Sequence, residues 1–209
     1  MAVGIAFMVR TFVVEPFKIP SGSMIPTLLV GDYLFVNKFA YGYRIPFTRE
    51  RIWMDAPPKR GEIAVFEYPK DPAKDYIKRI VGLPGDRIAY REKRLFVNGE
   101  PVPTQADGVF LYYNEFEQQV ESQRYLEKLG EQPHTILLRP FAGGDQTTEE
   151  VTPPDHYFVM GDNRDNSNDS RFWGYVPAYR LVGRAVALFW SWDRMAGKPR
   201  WERMGQGIR

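Results

Sequence analysis

Three separated segments of this 209-residue chain carry side chains able to act together on a carbonyl group. The first is Ser21-Gly22-Ser23, the second is Tyr76-Ile77-Lys78-Arg79, and the third is residues 161–171, which hold Asp162, Asn163, Arg164, Asp165, Asn166, Ser167, Asn168, Asp169 and Arg171. A hydroxyl, an amine in apolar company and a cluster of short polar groups can supply a nucleophile, a base and the scaffold that holds both. An isolated Ser-x-Ser is also an ordinary turn or cap before a short helix at residues 24–29. Two features favour chemistry. Gly22 permits backbone geometries that other residues resist, and Ile19, Pro20, Met24, Ile25, Pro26 and Leu28 surround the hydroxyls with apolar surface. Such a groove suits a nucleophile acting on a peptide with small side chains.

A serine hydroxyl needs a base, and the chain has no cysteine and only two histidines. His134 falls in a region poor in catalytic-looking groups, and His156 beside Asp155 reads as a strand-edge residue. Lys78 is the better base, since burial among apolar groups disfavours the ammonium form. Lowering a lysine pKa by two units costs about 2.7 kcal/mol, which a folded domain can bear. The alternative is a surface lysine on a half-buried strand. Residues 161–171 read by default as a solvated polar loop. Calcium is disfavoured because arginines lie among the carboxylates and the D-x-D-x-D-G-x5-E register is missing, so no metal ligand set and no cofactor are expected.

The elements that must position these groups read as mainly β, because short Val, Ile, Phe and Tyr runs alternate with Gly and Pro. Residues 15–20 are extended, since each position before a proline is pushed out of the helical region. Strands are expected at residues 33–36, 63–66, 76–81, 95–97, 156–160 and 181–192, with a loop at residues 69–74. On the strand at 76–81, Tyr76, Lys78 and Ile80 share one face, and Ile77, Arg79 and Val81 the other. Leu83-Pro84-Gly85-Asp86 fits a type II turn, and Asn98-Gly99 a type I′ hairpin. Residues 103–154 look like an inserted subdomain, read as strands at residues 115–129 and 136–138. The division is a segment at residues 1–15, read as the end of a truncated membrane anchor or else as an ordinary amphipathic helix packed on its own domain, a catalytic core at 16–102 and 155–193, the insertion at 103–154, and a basic tail at 194–209.

Composition narrows the function classes. The balance of 28 Lys+Arg against 26 Asp+Glu leaves a formal charge of +2, too little for a dedicated nucleic-acid surface. The lack of cysteine excludes thiolate catalysis and disulfides but fits either redox compartment. The apolar run at residues 2–9 is interrupted by Arg10, giving about half the ~18 residues a spanning helix requires. The tail carries Arg194, Lys198, Arg200, Arg203 and Arg209 near Trp190, Trp192 and Trp201. It reads by default as solvated, with contact to anionic lipid as the alternative.

Together these motifs resemble bacterial type I signal peptidase, the membrane-bound serine endopeptidase family of the Ser-Lys dyad class. The resemblance lies in residues 20–28, Gly31-Asp32, Arg60-Gly61-Glu62, residues 76–86 and residues 161–177. It implies Ser23 as nucleophile and Lys78 as general base. It also implies that Ser21 donates to the oxyanion alongside the Ser23 N–H, and that Ser167 hydrogen-bonds and orients Lys78. Asp162 with Arg79, and Asp169 with Arg171, would pair to hold the surrounding loops. Phe17, Ile19, Pro20, Met24, Leu28, Tyr76 and Ile77 would line shallow pockets for the small side chains of Ala-x-Ala sites. Asn168, where many relatives have alanine, is a departure that can alter a pocket wall.

The resemblance further implies an antiparallel β catalytic core with an inserted second β region, and preprotein signal peptides as substrates. It implies membrane lipid and the export machinery as partners, and a catalytic domain on the outer face of the bacterial inner membrane. Two other readings fit the same residues: a self-cleaving Ser-Lys peptidase of the same fold group, and a non-catalytic membrane-associated binding module. The first usually carries a DNA-binding module, and the second would have lost Ser23, Lys78 or Ser167.

Overall fold

The computed structural model describes residues 14–44, 51–52, 57–114, 116–139 and 147–208. The expected membrane-anchor segment, residues 1–15, lies outside them except for Val14 and Glu15. Among the described residues no helix is long and apolar enough to cross a membrane.

The chain is mainly antiparallel β, as its alternation of apolar and polar residues predicts. Its first half gives β1 (Val14–Lys18), β2 (Asp32–Asn37), the short pair β3 (Tyr43–Arg44) and β4 (Arg51–Ile52), β5 (Ile63–Tyr68) and β6 (Asp71–Gly82). Then come β7 (Arg87–Arg91), β8 (Arg94–Val97), β9 (Glu100–Pro101), β10 (Thr104–Tyr113), β11 (Gln119–Glu127), β12 (His134–Leu138) and β13 (Thr147–Val151). β14 (His156–Met160), α1 (Ser170–Trp173), β15 (Val176–Pro177), β16 (Leu181–Asp193) and β17 (Lys198–Pro199) complete it. A single 3-10 turn, Gly22–Met24, stands where a helix at residues 24–29 was considered. The expected loop at residues 69–74 shrinks to a turn at Pro69-Lys70, since β6 already pairs from Asp71 with Tyr68.

The main sheet runs β1-β2-β16-β5-β6-β14-β15, with β17 added to β16. Both of its faces are covered, which explains why Ile63, Ala64, Val65 and Phe66 of β5 are all buried. Ile63 and Val65 pack into an apolar cluster with Ile19, Met24, Leu28, Leu34 and Ile77, while Ala64 and Phe66 join Ile80, Tyr157, Val159 and Trp173 on the other side. Each such fully buried side chain contributes about 1.5–3 kcal/mol.

Apart from the β3-β4 pair, the remaining strands form two smaller sheets. One is β10-β11-β12; the other runs β13-β7-β8-β9. Residues 87–101, expected within the core, therefore pair with a strand of the insertion. The Asn98-Gly99 hairpin is as predicted, with positive φ at both residues, 55° and 86°. The insertion is anchored directly behind the third motif: Leu137 N–H donates to Asp162 O at 2.9 Å, and Leu137 bridges in parallel to Asn163.

The basic tail is not a solvated appendage. Beyond β17, Gly205 N–H donates to Leu188 O at 2.8 Å, Leu188 N–H to Gln206 O at 2.9 Å, and Ile208 N–H to Val186 O at 2.9 Å. Electrostatics drives this docking. The fully buried Asp32 carboxylate takes Arg203 Nη2 at 2.6 Å and Ser191 Oγ at 2.6 Å.

Candidate active site

The site is assembled where β6, the Gly22–Met24 turn and the loop after β14 converge. Lys78 sits opposite the small Ala64 in the β5–β6 register. It shares its strand face with Tyr76 and Ile80, which pack in the same cluster, whereas Ile77 points into the other. Ser23 is in the 3-10 turn, at a helix start where the first N–H groups have no partner within the helix.

Lys78 Nζ lies 2.7 Å from Ser23 Oγ and 3.0 Å from Ile77 O, and 5.5 Å from the centre of the Tyr76 ring. Both partners are buried, Lys78 to 4% and Ser23 to 8% exposure. Among the described residues no carboxylate stands within ion-pair distance of this amine. Desolvation pushes its pKa down to about 8, against a weaker opposing pull from Asp169 and Asp162. The shift costs the fold roughly 3 kcal/mol while the amine is charged, comparable to what burying one or two core side chains contributes. An amine that is partly neutral near pH 8 can accept the hydroxyl proton. Ser21 Oγ is 3.5 Å from Ser23 Oγ.

The third motif packs on the nucleophile through Gly161. A Cβ there would meet Ser167 Oγ at 2.3 Å and Ser23 O at 2.4 Å, so only glycine allows the approach. Two buried ion pairs hold the loop. Arg79 Nε and Nη2 fork onto Asp162 at 2.8 and 2.7 Å, and Arg171 Nε and Nη2 onto Asp169 at 2.8 and 2.9 Å. Burial alone would raise the Asp162 pKa, but the Arg79 charge and hydrogen bonds hold it below the usual carboxylate range. Asp169 also caps α1, accepting from Arg171 N–H, and accepts from Gly161 N–H at 3.0 Å.

A cleft of about 520 Å³ opens over the dyad, lined by Ser21, Gly22, Ser23, Tyr76, Lys78, Asp165, Asn166, Ser167, Asn168 and Phe172. Ser167 departs from expectation. Its buried Oγ has no hydrogen-bond partner among the described residues, so it does not orient Lys78 here; Ile77 O and Ser23 hold the amine instead. Of the expected pocket residues, Tyr76 lines the cleft and Pro20 is exposed. Ile19, Met24, Leu28 and Ile77 lie in the core at 5% exposure or less, with Phe17 packed against them. Neighbours of the dyad in sequence, Met24 and Ile77 are turned away from it and support it from below.

Sequence reasoning missed the contribution of residues 103–154. Arg164 of the third motif forks onto Glu127 at the end of β11, with Nη1 at 2.8 Å from Oε1 and Nη2 on Oε2. Burial alone would raise the Glu127 pKa; the charge and hydrogen bonds of Arg164, with the nearby His134, outweigh it and hold the carboxyl at about 2. His134 Nε2 stands 3.2 Å from Glu127 Oε2 but too poorly aligned to hydrogen-bond, and burial with the nearby Arg79 lowers its pKa. Nothing in the sequence marks Glu127, one of five glutamates at 115, 117, 121, 127 and 131.

Comparisons with known proteins show the family. The family model described as "Signal peptidase, peptidase S26" matches residues 1–190. The signal peptidase I of Pseudomonas aeruginosa is 45% identical over 215 residues, covering 96% of this chain and 74% of that protein. That of Buchnera aphidicola from Acyrthosiphon pisum is 36% identical, covering 90% and 72%. A solved signal peptidase I from Enterococcus faecalis V583 is 28% identical and covers 62% of this chain and 97% of its own, with a TM-score of 0.39. The chain belongs to the signal peptidase family, peptidase S26, and is an enzyme that cleaves signal peptides.

Proposed function

We propose that the enzyme works through a Ser23–Lys78 dyad and cuts exported preproteins after small residues, at Ala-x-Ala sites. The observation that carries this reading is the 2.7 Å contact between Ser23 Oγ and a buried lysine that has no counter-ion among the described residues. Neutral Lys78 takes the Ser23 proton as Oγ attacks the scissile carbonyl, and the resulting ammonium passes that proton to the departing amine. A water, deprotonated by the same amine, then hydrolyses the ester and frees Ser23. The Ser23 N–H and the Ser21 hydroxyl receive the oxyanion, where one preorganised donor is worth about 10²–10³ in rate. Asp162, Arg79, Asp169 and Arg171 keep the loop in place, and the unpartnered Ser167 hydroxyl is placed to meet the amine or the substrate as the cleft fills.

Substrate docking follows from the open sheet edges. β1 is the edge of the main sheet, and β6 pairs with β14 only at residues 79–82, so its earlier residues have one free side. An extended peptide can add to such an edge as a strand. Membrane association rests on the C-terminal end of β16 and the residues after it. Trp190, Trp192 and Trp201 stay 36%, 39% and 67% exposed beside Arg194 and Lys198, as an interfacial surface requires. Substrates of this kind place the catalytic domain on the outer face of the membrane.

The test is cleavage of a peptide bearing an Ala-x-Ala site, read by mass. Ser23→Ala and Lys78→Ala should each lower turnover by roughly 10⁴-fold or more with unfolding curves intact. In the parent enzyme, kcat/KM should rise with pH through about 8, as Lys78 loses its proton. Full activity in either variant, or a rising limb only near the free lysine value of about 10.4, rejects the dyad.

A further inference from the structure

Asn163 is fully buried in the third motif, yet it hydrogen-bonds to neither Lys78 nor Ser167. Apart from a bond within its own loop, where Asn166 N–H donates to its carbonyl at 2.9 Å, its hydrogen bonds run to the nucleophile turn and to the inserted sheet. Its backbone N–H donates to Ser23 O at 3.1 Å. Its side-chain amide has two N–H donors: one goes to Gly22 O at 3.0 Å, the other to the hydroxyl of Tyr112 on β10 at 2.9 Å. The Tyr112 hydroxyl also accepts from Arg139 Nη2 at 3.2 Å, just beyond β12, and the ring is 6% exposed. The Gly22 carbonyl is therefore gripped from the side facing the insertion.

The C=O and N–H of a planar trans peptide point in opposite directions. Whatever holds Gly22 O consequently sets where the Ser23 N–H points, and that N–H is the backbone donor assigned to the oxyanion. The 3-10 bond from Ile25 N–H to Gly22 O, at 3.2 Å, is long, and a one-turn helix is a weak constraint by itself. We propose that Asn163 is a positioning residue for the reaction: its amide fixes the plane of the Gly22–Ser23 peptide and so aims the Ser23 N–H into the cleft, while Tyr112 fixes the amide. The inserted sheet is thereby coupled to transition-state stabilisation without touching substrate.

This inference rests on the Ser23–Lys78 reading, and the experiment separates the two. Asn163→Asp keeps the size of the side chain but removes both donors; Tyr112→Phe keeps the ring and removes the acceptor. Kinetics on an Ala-x-Ala peptide are measured for both, with Ser23→Ala alongside. The expected result is a kcat lowered about 10- to 100-fold in Asn163→Asp and a few-fold in Tyr112→Phe, somewhat less than outright loss of an oxyanion donor. KM should stay within about twofold in both, and the rising pH limb of Tyr112→Phe should stay where the parent has it, because that substitution adds no charge near the dyad. A parent-like kcat in Asn163→Asp, or a defect confined to KM, or a displaced limb in Tyr112→Phe, overturns the positioning role. Should Asn163→Asp fail to fold, Tyr112→Phe decides: unchanged kcat rejects the relay, and a kcat-only loss supports it. An active Ser23→Ala enzyme would instead remove the dyad itself.

Discussion

Lys78 and Arg79 are adjacent on one strand, both buried and both basic, yet the molecule treats them in opposite ways. Arg79, at 1% exposure, is met by the forked Asp162 carboxylate and by Gly61 O at 2.6 Å. Lys78, at 4%, is met by an alcohol and one carbonyl. The period of two along a strand puts them on opposite faces, so the same stretch of chain provides two environments. Burial with a counter-ion makes a fixed charge that pins loops together. Burial without one makes a group that gives up its proton near pH 8.

The sharpest way to break the contrast is to take away the counter-ion. Asp162→Asn leaves Arg79 buried without its carboxylate, and removing one member of a buried pair typically costs about 3–5 kcal/mol. Urea unfolding should register that loss directly. If Asp162→Asn were to cost under about 1 kcal/mol, the pair would be structurally idle and the pinning role wrong.

Next in size is a change of opposite sign on the other face. Lys78→Met fills the same space without charge, so it should abolish cleavage and stabilise the fold by roughly 1–3 kcal/mol at pH 7. The pH dependence has a definite sign. The folded lysine titrates at about 8 and the unfolded one near its usual 10.5. The unfolded chain thus binds more protons in between, and the penalty is full below about 8 and fades as pH rises toward 10.5. The advantage of Lys78→Met should shrink accordingly between pH 7 and pH 10. An equal difference at both pH values would mean that the lysine is not desolvated in the native state.

The contrast also explains what the sequence made legible. The strand at 76–81 announces itself by alternation, and alternation alone puts Lys78 and Arg79 on separate faces. The Asn98-Gly99 turn and the extended approach to Ser21 follow from local backbone preferences. The long-range partners do not. That Arg164 would find Glu127, that Asn163 would find Tyr112, or that Asp32 would draw in the tail depends on how three sheets stack. One glutamate among five carries no mark of the partner it will meet. The reading of the tail as solvated holds for residues 194–198 but not for Arg200 and Arg203, which look like surface charge until a buried carboxylate is known to face them.

Asp32 completes the comparison as a buried acid served by cations that remain partly wet. Its carboxylate is fully buried, whereas the Arg203 side chain is 16% exposed, and Arg200 Nη1 stands 3.9 Å away as a second, looser partner. Arg203 Nη2 also donates to Thr27 O at 2.9 Å, and Asp32 accepts Leu29 N–H at 2.8 Å, so the pair braces the turn that follows the nucleophile. Arg203→Met removes the charged hydrogen bonds but leaves Ser191, Leu29 and Arg200 to serve the carboxylate. The expected cost is about 1–2 kcal/mol, well below that of Asp162→Asn, because water and a neighbouring guanidinium can replace what is lost. Turnover should change by no more than about twofold, since the dyad and the Gly22–Ser23 peptide are held from the other side. Urea midpoints for Arg203→Met and Asp162→Asn, measured together, test the ordering. A loss for Arg203→Met equal to or larger than that for Asp162→Asn would show that the docked tail, rather than the pinned loop, is the stronger tie on the active site.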